Sequence, residues 1–195
     1  MLNKEILINI FQKLLLEAKN SYDEFNAADG KIGDGDLGVT ILHGLEEVNN
    51  NINKFGNDMG ANFMLCSQAF VKKSGSSFGT LIAFSFINIS KKINGKKVCN
   101  HKDIVDIFET ALKTILERGK TNLGDKTIAD SLDLVIKKLK DNQNYSDVFK
   151  SATKQALDNF KGKKIKIGRA RMFEDKTKDL DDPGMFALNR LTNVF

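Results

Sequence analysis

The chain has 195 residues, 41% of them hydrophobic and 28% charged, with a formal net charge of +5 and an isoelectric point near 9.1. These are the proportions of a soluble globule able to bury a sizeable core, expected as a single domain over 1–195. The lysines are scattered and offset by 25 acidic residues, a poor match to a nucleic-acid-binding surface. Cys66 and Cys99 are the only cysteines, with no pairing pattern and no histidine spaced to suggest a zinc site, which argues against a disulfide framework or a structural metal. No stretch approaches the ~20 apolar residues of a membrane span. A cytoplasmic protein without signal peptide or anchor is expected.

Leu2, Ile6, Ile10, Leu14 and Leu15 recur at helical spacing, so residues 2–25 are expected as one or two amphipathic segments. Asp36 is placed to cap the helix that follows. Further helices are expected at about 37–53, 58–72, 77–93, 103–118, 127–140, 146–160 and 184–193, separated by Gly, Asn, Asp or Ser clusters. Residues 78–89 are rich enough in Phe, Ile and Leu for a strand, but the length of the run favours a buried helix. The longest non-periodic stretch is 161–182, and long loops inside domains are often functional. The fold class is therefore all-α, an eight-helix antiparallel bundle or barrel with its site formed by loops at one end.

Residues 29–40 read D-G-K-I-G-D-G-D-L-G-V-T, which places Asp29, Asp34 and Asp36 in a loop punctuated by Gly30, Gly33, Gly35 and Gly38. Carboxylates this close repel unless a cation sits among them, and glycines let the backbone aim several oxygens at one point. A solvated Asp/Gly turn is the competing reading. Three more polar loops follow: 72–80 (K-K-S-G-S-S-F-G-T), 119–127 (G-K-T-N-L-G-D-K-T) and 168–184 (G-R-A-R-M-F-E-D-K-T-K-D-L-D-D-P-G). In an up-and-down bundle, loops after the first, third, fifth and seventh expected helices share one rim. Carboxylates for Mg2+, helix starts for phosphate oxygens, the hydroxyls of Ser74, Ser76, Ser77 and Thr80, and the cations Lys72, Lys73 and Arg169 would then meet. That set describes a nucleotide site. G-D-K-T at Gly124 lacks the earlier glycine of a P-loop, and D-G-D-L-G is no calcium loop, because Gly38 and Leu45 fall on the fifth and twelfth ligand positions.

I-G-D-G-D-L-G from Ile32, S-G-S-S-F-G-T from Ser74, R-G-K from Arg118 with G-D-K-T from Gly124, G-R-A from Gly168 and D-P-G from Asp182 occur in an order that resembles the L subunit of dihydroxyacetone kinase, the ADP-binding part of a kinase for small keto-sugars. The resemblance spans nearly the whole chain. It implies a barrel of eight antiparallel helices carrying ADP or ATP and two Mg2+ ions at its rim. Asp29, Asp34 and Asp36 would ligate the metals, while Leu37, Gly38, Val39, Thr40, Lys73 and Ser74 would face the phosphates. Gly119 and Ile128 would line the adenine pocket, and Arg169 with Asp182, Pro183 and Gly184 would close the site. The family's subunit holds nucleotide that a phosphohistidine M subunit recharges, and passes the γ-phosphoryl group to substrate on a separate K subunit. Such a chain needs no catalytic nucleophile of its own, and His43 and His101 lie away from the motifs. A homodimer is compatible with this reading.

The chain departs from the family pattern at Leu37, where histidine is usual, at Thr40, where asparagine is common, and at Val71 and Lys72, where paired glycines are usual. Lys72 would either bring a cation towards the phosphates or face solvent. After G-R-A, Arg171, Met172, Phe173 and Glu174 replace a small residue, a tyrosine and a glycine, which implies a changed partner surface or substrate. Three functions compete: a phosphotransferase subunit inactive without its partner, an ADP-sensing binding module, and a subunit like those of fatty-acid kinases.

Overall fold

The computed structural model describes residues 1–73 and 75–195, so Ser74 lies outside the described residues. Among those described, the chain forms nine α-helices and two 3-10 segments, and its one β-type pairing is an isolated antiparallel bridge between Leu2 and Cys99. The first expected segment is two helices, α1 (Lys4–Asn20) and α2 (Tyr22–Gly30). They break at Ser21, whose hydroxyl donates back to Glu17 at 2.9 Å. Helix α2 runs past the expected end at residue 25 and absorbs Asp29, whose carbonyl accepts the Ile32 and Gly33 N–H groups at 3.0 and 2.6 Å.

The remaining helices fall close to expectation: α3 (Leu37–Asn50), α4 (Met59–Lys73), α5 (Ser77–Lys92), α6 (His101–Gly119), α7 (Ile128–Asp141), α8 (Tyr145–Phe160) and α9 (Pro183–Thr192). The Phe/Ile-rich run is helical in α5. Two starts are fixed by capping boxes, Asn100 with Asp103 for α6 and Thr127 with Asp130 for α7, each satisfying two otherwise orphaned N–H groups. Pro183 opens α9 at the first-turn position where its missing N–H costs nothing.

Each helix from α3 to α9 packs on the next, and α9 returns to α1 and α2, which lean on α3, so the bundle closes on itself. The largest core cluster joins α1 to α5 around Phe86, whose ring meets Phe11, Phe63 and Phe70 at 6.2, 5.8 and 5.7 Å between centroids. A second cluster, with Val135, Leu139, Val148 and Phe149 buried, welds α7 to α8. Gly44 lets α3 approach α4 closely, because a Cβ there would lie 2.3 Å from the Phe70 ring.

The 161–182 stretch is largely ordered as a 3-10 segment, Arg169–Asp179, kinked at Glu174 where φ is 42°. Its anchor is Thr177, buried, whose hydroxyl donates to the Glu174 carbonyl at 2.7 Å and accepts the Ile165 N–H at 3.0 Å. Ile165 and Ala170 then bury Ile32 of the first polar loop, with Phe173 and Leu180 packed against them. Apolar contact between two polar loops thus fixes their relative position.

Candidate functional site

The four polar loops meet at one end of the bundle and line a cleft of about 830 Å³. Helices α3, α5, α7 and α9 all start on its wall, since Leu37, Ser77, Ile128 and Pro183 are among the lining residues. Four positive helix-dipole ends therefore point at one volume, a field suited to anions.

Asp29, Asp34 and Asp36 stand at one side of the cleft with carboxylate oxygens within 4.8 Å of one another. The arrangement is built by the backbone: Asp29 Oδ2 accepts the Gly35 and Asp36 N–H groups at 2.7 and 3.1 Å. Gly33 is required because a Cβ would lie 2.4 Å from Asp29 Oδ1. Burial and the neighbouring Asp34 and Asp29 push the Asp36 carboxyl above its ordinary value, against the opposing pull of Arg169. Asp34 makes an ion pair with Arg169 of the fourth loop. Three converging hard oxygen donors, their mutual repulsion only partly offset by Arg169, fit a divalent cation such as Mg2+ or Ca2+.

The opposite side of the cleft is apolar, formed by Leu81, Phe84, Ile115 and Ile128, with the Arg118 guanidinium 4.1 Å above the Phe84 ring. Its third wall is the α9 start. Asp182 caps that helix through Met185 N–H at 2.9 Å, and burial pushes its carboxyl up to about 7 against hydrogen bonds and Lys126, which lower it. Lys126, only 1% exposed, donates its ammonium protons to the carbonyls of Lys163 and Thr177 at 2.8 and 3.0 Å.

Of the residues singled out from sequence, Asp29, Asp34, Asp36, Leu37, Gly119, Ile128, Arg169, Asp182, Pro183 and Gly184 line the cleft. Gly38, Val39, Thr40 and Lys73 do not. The Gly38 and Val39 N–H groups, expected to face phosphates, instead donate to Asn26 Oδ1 at 2.7 and 3.3 Å. Thr40 is buried and its hydroxyl donates to Ser76 at 2.8 Å. Lys73 is exposed at the end of α4. Lys72, weighed as a phosphate cation, turns to α3 and pairs with Glu47 at 2.7 Å, and this hydrogen bond holds the Glu47 carboxyl below its usual range. Leu37, noted as a departure from the family pattern, is buried in the main core cluster. His43 is exposed on α3, and His101 is bound to Tyr145 Oη and the Leu139 carbonyl at 2.8 and 2.9 Å. Neither histidine lines the cleft.

Sequence reasoning missed Asn26 and Lys126. Asn26 carries no signal, being one polar residue inside a helix, whereas Lys126 stands within G-D-K-T, a motif noted for its order rather than for its lysine. The apolar wall had a usable signal in the i, i+3 pairs Leu81/Phe84 and Ile115/Arg118, which place each pair on one helix face.

Residues 31–195 match the family model described as the DAK2 domain. The chain belongs to the DAK2 family. Within it, the chain is 28% identical over 181 residues to the "PEP-dependent dihydroxyacetone kinase 1, ADP-binding subunit DhaL" of Listeria innocua, covering 92% of this chain and 87% of that protein. It is 27% identical to a "Probable dihydroxyacetone kinase" of Dictyostelium discoideum, of which it spans only 31%. The crystal structure of the dihydroxyacetone kinase from C. freundii in complex with AMP-PNP and Mg2+ superposes over 97% of this chain and 33% of that one, with a TM-score of 0.77 at 20% identity. The DAK2 fold is therefore shared, as an all-helical bundle. The family match starts at residue 31 and so includes Asp34 and Asp36 but not Asp29, which the end of α2 delivers to the same cluster.

Proposed function

We propose that this chain is the nucleotide-holding subunit of a kinase for dihydroxyacetone or a similar small keto-sugar. The observation that carries the reading is the pairing of three convergent carboxylates with four helix N-termini in one cleft that has an apolar far wall. Similarity over 87% of an ADP-binding subunit supports it.

In this reading Asp29, Asp34 and Asp36 hold Mg2+, expected as two ions, which when bound would neutralise the phosphate oxygens and polarise the transferring group. The chain supplies the rest by position. The starts of α5, α7 and α9 direct positive dipole ends at the phosphates, and Arg169, with Asp34 engaged by a cation, is placed to pair with a phosphate oxygen. Leu81, Phe84, Ile115 and Ile128 take the adenine ring, and the 3-10 segment, held to the aspartate loop through Arg169 and Ala170, covers the phosphate side of the cleft. Phosphoryl transfer depends mainly on such positioning and charge stabilisation, so the chain contributes no nucleophile. A K-type partner must then carry the substrate, and a phosphohistidine M-type subunit recharge the nucleotide. The subunit is inactive as a kinase alone and is cytoplasmic.

A second reading, an ADP-sensing module, is favoured by one observation: the buried Leu37 offers no imidazole to a phosphate. Calorimetric titration with ADP, with and without Mg2+, tests the primary claim. Magnesium-dependent binding is expected, weakened more than about tenfold by Asp34→Ala, or about 1.4 kcal/mol. Unchanged binding in that variant would refute the metal assignment. Nucleotide binding with no transfer in the presence of the K-type partner would favour the sensor.

A further inference from the structure

Helix α3 has an irregular start. Its N-cap is Asp36, a residue type that ordinarily accepts the N–H groups two and three positions on, yet the Asp36 side chain makes no cap hydrogen bond. Those two N–H groups belong to Gly38 and Val39, and both are taken by Asn26 Oδ1, from the helix before the loop. The contact is closely built. A Cβ on residue 38 would lie 2.4 Å from the Tyr22 carbonyl oxygen and 2.8 Å from Asn26 Oδ1, so glycine at 38 is what lets α2 lie against the start of α3.

We propose that Asn26 is a positioning residue for the cation site: it takes over the capping of α3 and thereby leaves the Asp36 carboxylate to face Asp29 and Asp34. This rests on the metal reading above. An aspartate at an uncapped helix start would turn to its own N2 and N3 amides, and the carboxylate cluster would lose one of its three members. Asn26 is not among the residues that line the cleft. Its effect passes through Asp36, whose backbone (φ −108°, ψ 6°) lies outside the extended region of a capping residue and would have to swing together with the side chain.

The test is Mn2+ binding to the intact, nucleotide-free chain, followed by electron paramagnetic resonance, for wild type, Asn26→Ala, Asp36→Asn and the double variant, together with thermal unfolding in chelator. Asn26→Ala is expected to weaken Mn2+ by about tenfold, the usual scale for losing a residue that orients a ligand. In chelator its melting temperature should change little, because Asp36 replaces the lost cap. In the Asp36→Asn background the same substitution should produce no further loss of Mn2+ affinity. A merely structural Asn26 would give the reverse pattern, a lowered melting temperature with Mn2+ affinity intact, and that result overturns the proposal. Asn26→Asp preserves the acceptor and should bind Mn2+ at least as tightly as wild type, so weaker binding there also overturns it, even if the alanine variant does not fold. Absence of Mn2+ binding by wild type would remove the metal reading itself, whereas wild-type binding that Asn26→Ala leaves unchanged removes only the role of Asn26.

Discussion

Replacing Lys126 by Met tests whether the third and fourth loops are held together by a buried charge. The ammonium group is almost fully enclosed and binds two main-chain carbonyls, Lys163 O at 2.8 Å and Thr177 O at 3.0 Å. Its charge is balanced by Asp181, Asp182 and Asp179 nearby, although burial still pulls the lysine below its ordinary value. Methionine keeps most of the volume, so packing contributes less than about 1.5 kcal/mol of the loss. Hydrogen bonds from a charged donor are worth roughly 1.5–3 kcal/mol each, and here two of them share one ammonium group. Because these overlap, we expect a loss of about 3–4 kcal/mol, a fall in melting temperature of about 6–16 °C for a chain of this size. Urea unfolding followed by circular dichroism measures the loss. Hydrogen exchange should show faster exchange at Ile165, whose N–H is held by the Thr177 hydroxyl. A loss below about 1 kcal/mol, with exchange at Ile165 unchanged, would refute the idea that this lysine joins the two loops.

Two further outcomes follow from the same geometry. Asp182, at about 7 in the folded chain against about 3.9 unfolded, binds more protons when folded, so the stability of the ligand-free chain should fall as pH rises from about 4 and level off above about 7. Asp182→Asn keeps the cap on Met185 and should flatten that slope in denaturant titrations across pH; an unaltered slope would assign it to other groups. Gly44→Ala places a methyl 2.3–2.6 Å from three atoms of the Phe70 ring, and overpacking of this kind costs about 1–3 kcal/mol. Calorimetric melting of the variant at or above the wild-type temperature would mean that α3 and α4 separate at little cost.

Periodicity located the helices because their apolar faces repeat at 3.6 residues, and even the ambiguous 78–89 run was decided by length. It could not end α2, because that boundary depends on Asp29 accepting N–H groups from its own loop, a tertiary arrangement without a linear pattern. The convergence of the three aspartates was legible because they and four glycines fall in one short segment. The roles of Gly38 and Val39 were not, because a free helix N-terminus and one already occupied by an asparagine from another helix look identical in sequence. Lys72 shows the same limit. A lysine at a loop entrance is ambiguous until its partner is known, and here the partner is Glu47, on the neighbouring helix.

Ile32 lies between Asp29 and Asp34 in the chain and is 2% exposed, buried by Ile165 and Ala170. Lifting the fourth loop off the cleft therefore means either stripping that isoleucine from its socket, at about 1.5–3 kcal/mol, or dragging the aspartate loop outward with it. The first route makes any open form a minor one, because lifting the loop also breaks the Lys126 bond to Thr177 and the Arg169–Asp34 ion pair. The second spoils the carboxylate geometry whenever the door stands ajar. If the chain holds nucleotide and cation as proposed above, entry and grip are mechanically geared to each other on either route, and a substitution at Ile32 would alter both the rate of exchange and the strength of holding.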